Sequence, residues 1–309
     1  SCRARGIFGV LMQKLLETFL IGLSTGSIYA LMSIALVLVW RSTRVVNFAQ
    51  AGQAMLSTYI GFEIATRTEI FWLGLLFAIA AGALLGAGVD YFFMRVLFKH
   101  AVSGPAAVVA PVIATLGLLG LVRSIVGLVW GGEFKSIKAP ASTDGFTIGE
   151  TTIPFSPLNL LIIVTVFVIL IALAIIFQRT NLGLSLRASA YAPEIAQLAG
   201  IRTARTRTIG WAIAGGVGGV AGMLNTASNF LSPYSLDLLL VFGFIAAVIG
   251  GLESMVGSVV GALILGIALT FILNYVGTSL VFIGGFVVLI VVLLVKPDGI
   301  MARGRARRA

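Results

Sequence analysis

The sequence predicts an all-α integral membrane protein with eight or nine transmembrane helices, some of them discontinuous or re-entrant. Three observations carry that expectation. Hydrophobic residues make up 59% of the 309-residue chain and charged residues only 10%, against about a quarter charged in an ordinary soluble domain. The apolar residues fall in runs close to the roughly 20 residues a helix needs to cross a bilayer. The charges fall between and after those runs. A soluble fold of this size has nowhere to hide so much apolar surface, whereas lipid is itself a solvent for it. The 37 glycines fit the same class, because Gly is common in membrane helices that pack closely. Residues 1–309 read as a single transmembrane domain, with a cytoplasmic loop, 179–207, set within it.

Taken in order, the expected spans are Leu16–Trp40, Val46–Ala65, Ile70–Met94, Ala107–Trp130 and Pro157–Phe177, then Thr208–Phe230, Leu238–Leu252, Met255–Tyr275 and Ser279–Val295. Two of these depart from the pattern. Val46–Ala65 contains Asn47, Gln50 and Gln53, and Leu238–Leu252 is short. Irregular backbone at membrane depth is tolerated where protein or a cavity surrounds it, so these two are the candidates for broken or re-entrant segments.

The loops set the orientation. Between Arg179 and Arg207 lie five arginines against one acid, Glu194, and the tail carries Lys296 and four arginines, 303 to 308, against Asp298. Both regions belong in the cytoplasm by the positive-inside rule, and the four spans between them make the two assignments agree. The loop Gly131–Ser156 holds Glu133, Asp144 and Glu150 against Lys135 and Lys138 and belongs outside. Counting back puts Arg95, Lys99, His100, Arg41 and Arg44 inside and the Glu63–Glu69 turn outside. Nine spans leave the N-terminus outside, against the preference of Arg3, Arg5 and Lys14. The run after Arg3 and Arg5 is too long for a signal-peptide core.

Several functions are excluded by what is missing. No G-x-x-x-x-G-K-[ST] phosphate loop is present, and one histidine with one cysteine leaves no metal constellation or disulfide. No G-x-S-x-G elbow occurs. The net charge of +10 is spread as topology signals rather than as a nucleic-acid surface. Neither catalysis nor nucleic-acid binding is expected of this chain.

The stretch Tyr191–Gly200 reads as a short cytoplasmic helix. Pro193 suits its first turn, Glu194 its positive end, and Gly200 the position just past its C-terminus. Ile195, Leu198 and Ala199 share one apolar face, which either packs against the bundle's own underside or docks something else. Glycine pairs four apart, Gly22 with Gly26, Gly215 with Gly219 and Gly257 with Gly261, permit close backbone approach, through plain packing or in a helix that slides. Polar groups at membrane depth are costly. Asn47, Gln50 and Arg123 are therefore notable; Arg123 either lines an aqueous path or pairs with Asp90 or another carboxylate. Asn274 suits an interhelical hydrogen bond.

These motifs also carry a resemblance. Gly26-Ser-Ile-Tyr-Ala-Leu31 followed by Val45-Val-Asn-Phe-Ala-Gln50 resembles the opening of the permease subunits of branched-chain amino acid ABC importers, the LivH-like group. Glu194-Ile-Ala-Gln-Leu-Ala-Gly-Ile201 is similar to that group's coupling segment. Val248-Ile-Gly-Gly-Leu252 with Ser254, Gly257 and Gly261, and the tail Lys296-Pro-Asp-Gly-Ile300, resemble its later motifs. The matches occur in order over nearly the whole chain. Glu253, Phe242 and Ala51 depart from the group's usual residues.

The resemblance implies a multi-pass permease of the bacterial cytoplasmic (inner) membrane. It would pair with a second permease, two cytoplasmic ATPase subunits and an external substrate-binding protein. No cofactor is implied on this chain; ATP and Mg would act on the ATPase subunits. Pro193, Glu194, Ile195, Ala196, Leu198 and Gly200 would form the ATPase-coupling element, and Ser27, Asn47, Gln50 and Arg123 part of the substrate path. Branched-chain or other hydrophobic amino acids are the implied cargo. Urea or short amides, carried by related permeases, and an ion-driven secondary transporter are the alternatives.

Overall fold

The computed structural model describes the backbone of residues 2–100, 105–148 and 151–301, and the side chains of residues 12–97, 109–146 and 154–301. Glu150 and the tail arginines 303, 305, 307 and 308 lie outside the described residues, as do the side chains of Arg3, Arg5, Lys99 and His100.

The chain is helical almost throughout. Helix α1 (Cys2–Thr43) leads to α2 (Ala49–Thr68) and α3 (Phe71–Gly88), which runs through a π-helical stretch, Val89–Met94, into α4 (Arg95–His100). After α5 (Pro105–Trp130), β1 (Phe146–Ile148) and β2 (Thr151–Ile153) form a small antiparallel hairpin that pairs Phe146 with Ile153. The second half contains α6 (Pro157–Arg179), α7 (Asn181–Tyr191), α8 (Pro193–Leu198) and α9 (Thr203–Ser228). It closes with α10 (Asp237–Gly250), α11 (Met255–Tyr275) and α12 (Val281–Val295).

Helix starts follow local chemistry. Ser156 Oγ accepts from Asn159 N ahead of Pro157, Thr180 Oγ1 accepts from Gly183 N, and Ser254 Oγ accepts from Gly257 N. Each side chain satisfies one amide that the first turn leaves without a partner, and Pro157 occupies the position where its missing N–H costs nothing.

Among the described residues, six helices are long and apolar enough to cross a membrane: Met12–Thr43, Phe71–Leu97, Val109–Trp130, Pro157–Arg179, Met255–Tyr275 and Thr278–Val295. The chain is an all-α membrane protein, with the hairpin confined to a loop. Helices α2, α9 and α10 fall outside the six, the first two through polar and small residues and the third through its 14-residue length. All three are nevertheless packed into the centre.

Close packing explains how. Helix α9 runs antiparallel to α3, and a Cβ placed on Gly82, Gly86 or Gly219 would strike the carbonyl of Gly215, Trp211 or Ala78 across the seam. Helix α1 packs antiparallel on α11 in the same way. A Cβ on Gly22 would come within 2.7 Å of Ile267 Cα, and one on Gly26 within 2.9 Å of the Ala262 carbonyl. Gly257 and Gly261 bring α11 against Gly250 and Ala246 of α10. All six glycines singled out by spacing therefore sit at backbone-to-backbone contacts. Asn274 Nδ2 donates to Thr18 Oγ1 at 3.1 Å, a further tie between α11 and α1.

The expected spans shift at their ends. The second begins at Ala49 rather than Val46, because Arg44 adopts a left-handed φ of 58° and breaks the chain after α1. The unwound stretch enters the bundle: Phe48 N donates to Thr115 Oγ1 at 3.3 Å, and Gln50 Nε2 donates to the Ala214 carbonyl at 3.0 Å. Ala214 lies 11 residues along α9, or about 16 Å. Helix α2 thus starts inside the bundle, where Asn47 and its neighbours are shielded by protein.

Candidate functional site

One end of the molecule gathers the cations. Arg41 lies in the last turn of α1 and Arg44 just past it, Arg95 lies beside the start of α9, and Arg187 is on α7. The turn after α10 joins them, since Arg44 binds Glu253 at 2.5 Å and Ile300 N donates to the Ile249 carbonyl. The opposite end holds the Glu63–Glu69 turn and the loop after α5. That loop is tied down by reciprocal hydrogen bonds between Lys135 and Leu231.

The segment that joins α6 to α9, expected from the resemblance to couple to an ATPase, projects from the basic end. The helix expected over Tyr191–Gly200 is α8, Pro193–Leu198, and a second helix, α7, precedes it. Tyr191 ends α7, Ala192 breaks the path, and Pro193 opens α8. Proline forces that break, because it disfavours helical backbone in the residue before it. At the other end Gly200 has φ +83°, with Gly200 N bonded to Gln197 O and Ile201 N to Ala196 O, both at 2.9 Å. That is a Schellman cap, which requires a left-handed residue where glycine now sits. The α7 half was missed because its apolar pattern is weak; Thr180, an N-cap residue, is the signal that marks its start.

Burial decides which face of α8 is free. Ala196 is 4% exposed and anchors the helix, whereas Ile195 is 68% and Leu198 90% exposed. The apolar face does not pack under the bundle. Glu194 and Gly200 are also exposed. Gln197 Nε2 donates to Thr203 Oγ1 at 2.9 Å and links α8 to the start of α9.

Directly above lies a cluster that sequence reasoning missed. Asp90, fully buried in the π-helical stretch, accepts from Arg207 Nε at 2.7 Å and Thr208 Oγ1 at 2.6 Å, with Arg95 3.7 Å away. A π-helical turn widens the helix and re-aims its side chains, which directs Asp90 toward α9. Arg95 also donates to Thr208 Oγ1 and the Ala204 carbonyl. Two helices that meet through glycine are thereby clamped near the start of α9. The 117-residue separation of Asp90 and Arg207 left no local signal.

The residues expected along the substrate path are not gathered into one place. Asn47 Nδ2 donates to Gln50 Oε1 at 3.3 Å, and both are fully buried between α2 and α9. Asn47 Oδ1, both polar atoms of Gln53 and the Tyr59 hydroxyl find no hydrogen-bond partner among the described residues. Ser27 bonds within its own helix, to the Leu23 carbonyl at 2.7 Å. Arg123 stands apart, about two turns from the end of α5. Its Nη2 donates to both carboxylate oxygens of Asp237, at 2.6 and 2.7 Å, rather than to Asp90, and the guanidinium stacks over Tyr234 at 4.6 Å.

Residues 18–295 match the family described as "Branched-chain amino acid transport system / permease component". The chain belongs to that family. It is 28% identical over 285 residues to the probable branched-chain amino acid transport permease protein LivH of Methanocaldococcus jannaschii, covering 89% of this chain and 88% of that one. The identity is also 28% over 298 residues to the high-affinity branched-chain amino acid transport system permease protein BraD of Pseudomonas aeruginosa, covering 93% and 96%. LivH of Escherichia coli K12 gives 28% over 292 residues, covering 91% and 94%. Among solved structures, PsaBC from Streptococcus pneumoniae in complex with Fab superposes with a TM-score of 0.50 at 14% identity, covering 96% of both chains. That likeness bears on the fold.

Proposed function

We propose that this chain is the membrane-spanning permease subunit of an ABC importer, working in the bacterial inner membrane and carrying branched-chain or other hydrophobic amino acids. Energy comes from ATP hydrolysed with Mg on two separate cytoplasmic subunits. A second, related permease completes the path, and an external binding protein delivers the cargo to the face that bears the β-hairpin. Helices α2, α9 and α10 cross the membrane with the six longer ones, which makes nine spans and puts the start of α1 outside.

The observation that carries this reading is the exposed apolar face of α8. A rigidly capped helix with Ile195 and Leu198 in water, at the basic end of a permease-family chain, is a surface built to be covered. Its partner is a groove of an ATPase subunit. Motion of α8 passes through the Gln197–Thr203 bond to α9, and through the Asp90 clamp to α3. Asn47 and Gln50, with no ionised groups of their own, offer amide contacts to a zwitterionic cargo once the α2–α9 contact opens.

Mild-detergent pull-down from the native membrane tests this directly. Two nucleotide-binding subunits and a second permease are expected to copurify. In I195S/L198S the ATPase subunits are lost while membrane insertion is unchanged, and in Glu194→Ala or Gly200→Val ATP hydrolysis runs without uptake. Normal coupled uptake from these variants defeats the assignment of α8.

A further inference from the structure

At the basic end a cleft of about 860 Å³ opens beside α1, between α6 and the turn that joins α10 to α11. Its inner wall is apolar, formed by Ile34 of α1, Leu170, Leu173 and Phe177 of α6, and Val259 of α11. From Leu170 to Phe177 this wall extends seven residues, or about 10 Å, toward the middle of the bundle. Its outer end is polar, with Arg41 at the close of α1 and Arg187 on α7. The helix surfaces flanking the opening are apolar as well. Ile171 and Ile175 of α6 and Val256 of α11 are 51%, 54% and 60% exposed, as befits groups that face hydrocarbon.

The charges at the outer end are unequal in what they meet. Glu253, in the cleft wall, is held by Arg44 at 2.5 Å, and Asp298 lies at the tail side of the opening. Arg41 meets the like charge of Arg187 and the opposite charge of Glu253, whose carboxylate Arg44 also holds. Two guanidinium groups placed so suit an anion with several acceptor oxygens. Basic pockets between membrane helices on the cytoplasmic side are known to take phospholipid headgroups. A phosphate at the surface continuing into an apolar groove describes one kind of molecule.

We propose that this cleft binds a glycerophospholipid of the cytoplasmic leaflet, its phosphate between Arg41 and Arg187 and one acyl chain along Ile34, Leu170 and Leu173. The headgroup bridges α1 to α7, the first helix of the segment that leads to α8. Lipid composition then sets how firmly that segment is held. The effect on coupling rests on the function proposed above; the binding does not.

Native mass spectrometry of the full-length chain, delipidated and titrated with dioleoylphosphatidylglycerol, tests the site. One tightly held lipid is expected. Its apparent affinity should fall at least tenfold in R41Q/R187Q, and equally in L173W, which fills the groove and leaves both arginines in place. Dioleoylglycerol, with the chains but no phosphate, should bind at least tenfold more weakly, and inorganic phosphate should not compete. Equal lipid retention in wild type and both variants overturns the proposal. So does competition by inorganic phosphate, which marks a free-anion site, or loss of the lipid when the ATPase subunits assemble, which marks a protein interface.

Discussion

Helices α9 and α5 are both glycine-rich, yet they live in different surroundings. On α9, a Cβ at Gly215 or Gly219 would collide with the backbone of α3; on α5, a Cβ at Gly117, Gly120 or Gly127 meets nothing within 4 Å. Burial follows the same line. Only 17% of the apolar window of α5 is buried, whereas α9 is buried along most of its length after Gly210, although α5 is by far the more apolar. In water the more hydrophobic helix would have gone inside. In a bilayer, lipid is as apolar as leucine, so hydrophobicity gives no reason to leave it. Small residues do, because they let backbones touch and gain dispersion contacts that lipid cannot match.

The contrast can be broken from the α9 side. The largest effect is expected at the clamp, where Asp90→Ala leaves Arg207 and Arg95 without the buried carboxylate they share. Removing one partner of such a pair costs about 3–5 kcal/mol, so the detergent-solubilised chain should lose its monodisperse size-exclusion peak at a markedly lower temperature. Gly215→Val comes next. Overpacking a tight contact costs about 1–3 kcal/mol or more, and here the obstacle is the Gly82 carbonyl, which has no rotamer to escape by. Gly200→Ala is a smaller and local change. A left-handed residue with a Cβ costs about 1–2 kcal/mol, and limited proteolysis between Tyr191 and Thr203 should accelerate while the melting of the bundle holds.

The smallest effect should come from α5. Gly120→Ala adds a methyl group to open space and removes a poor helix former, worth up to about 1 kcal/mol in favour of the helix. Thermal stability of the chain alone should stay level or rise slightly. A clear fall would mean that this face of α5 is already covered, and would erase the distinction from α9.

Part of the site was legible without the fold. Pro193, Glu194 and Gly200 bracket α8 through local rules that depend only on neighbouring residues, and the structure places the break and the cap at Pro193 and Gly200. The glycine pairs were legible as candidates for close approach, although not which helix each would meet. Arg123 was recognised as a costly charge needing a partner, but the partner is Asp237, 114 residues away, and no periodicity connects the two. The missing turn between α1 and α2 had a signal in Asn47, Gln50 and Gln53, three amides too polar for lipid. Their depth, about 16 Å along α9 at Ala214, came from packing alone.

Composition, run length and the placement of arginines therefore determined on their own that this is a multi-pass helical membrane protein with one basic end and an arginine-rich loop around residue 194. Those properties depend on transfer of segments between water and lipid, which each segment settles for itself. Tertiary structure alone decided that α9 is central and α5 peripheral, that Asp90 clamps α3 to α9, and that the apolar face of α8 is left uncovered by the rest of the chain. Each of these depends on which surfaces meet. Between helices of equal hydrophobicity, that choice belongs to shape and to paired charges far apart in the chain.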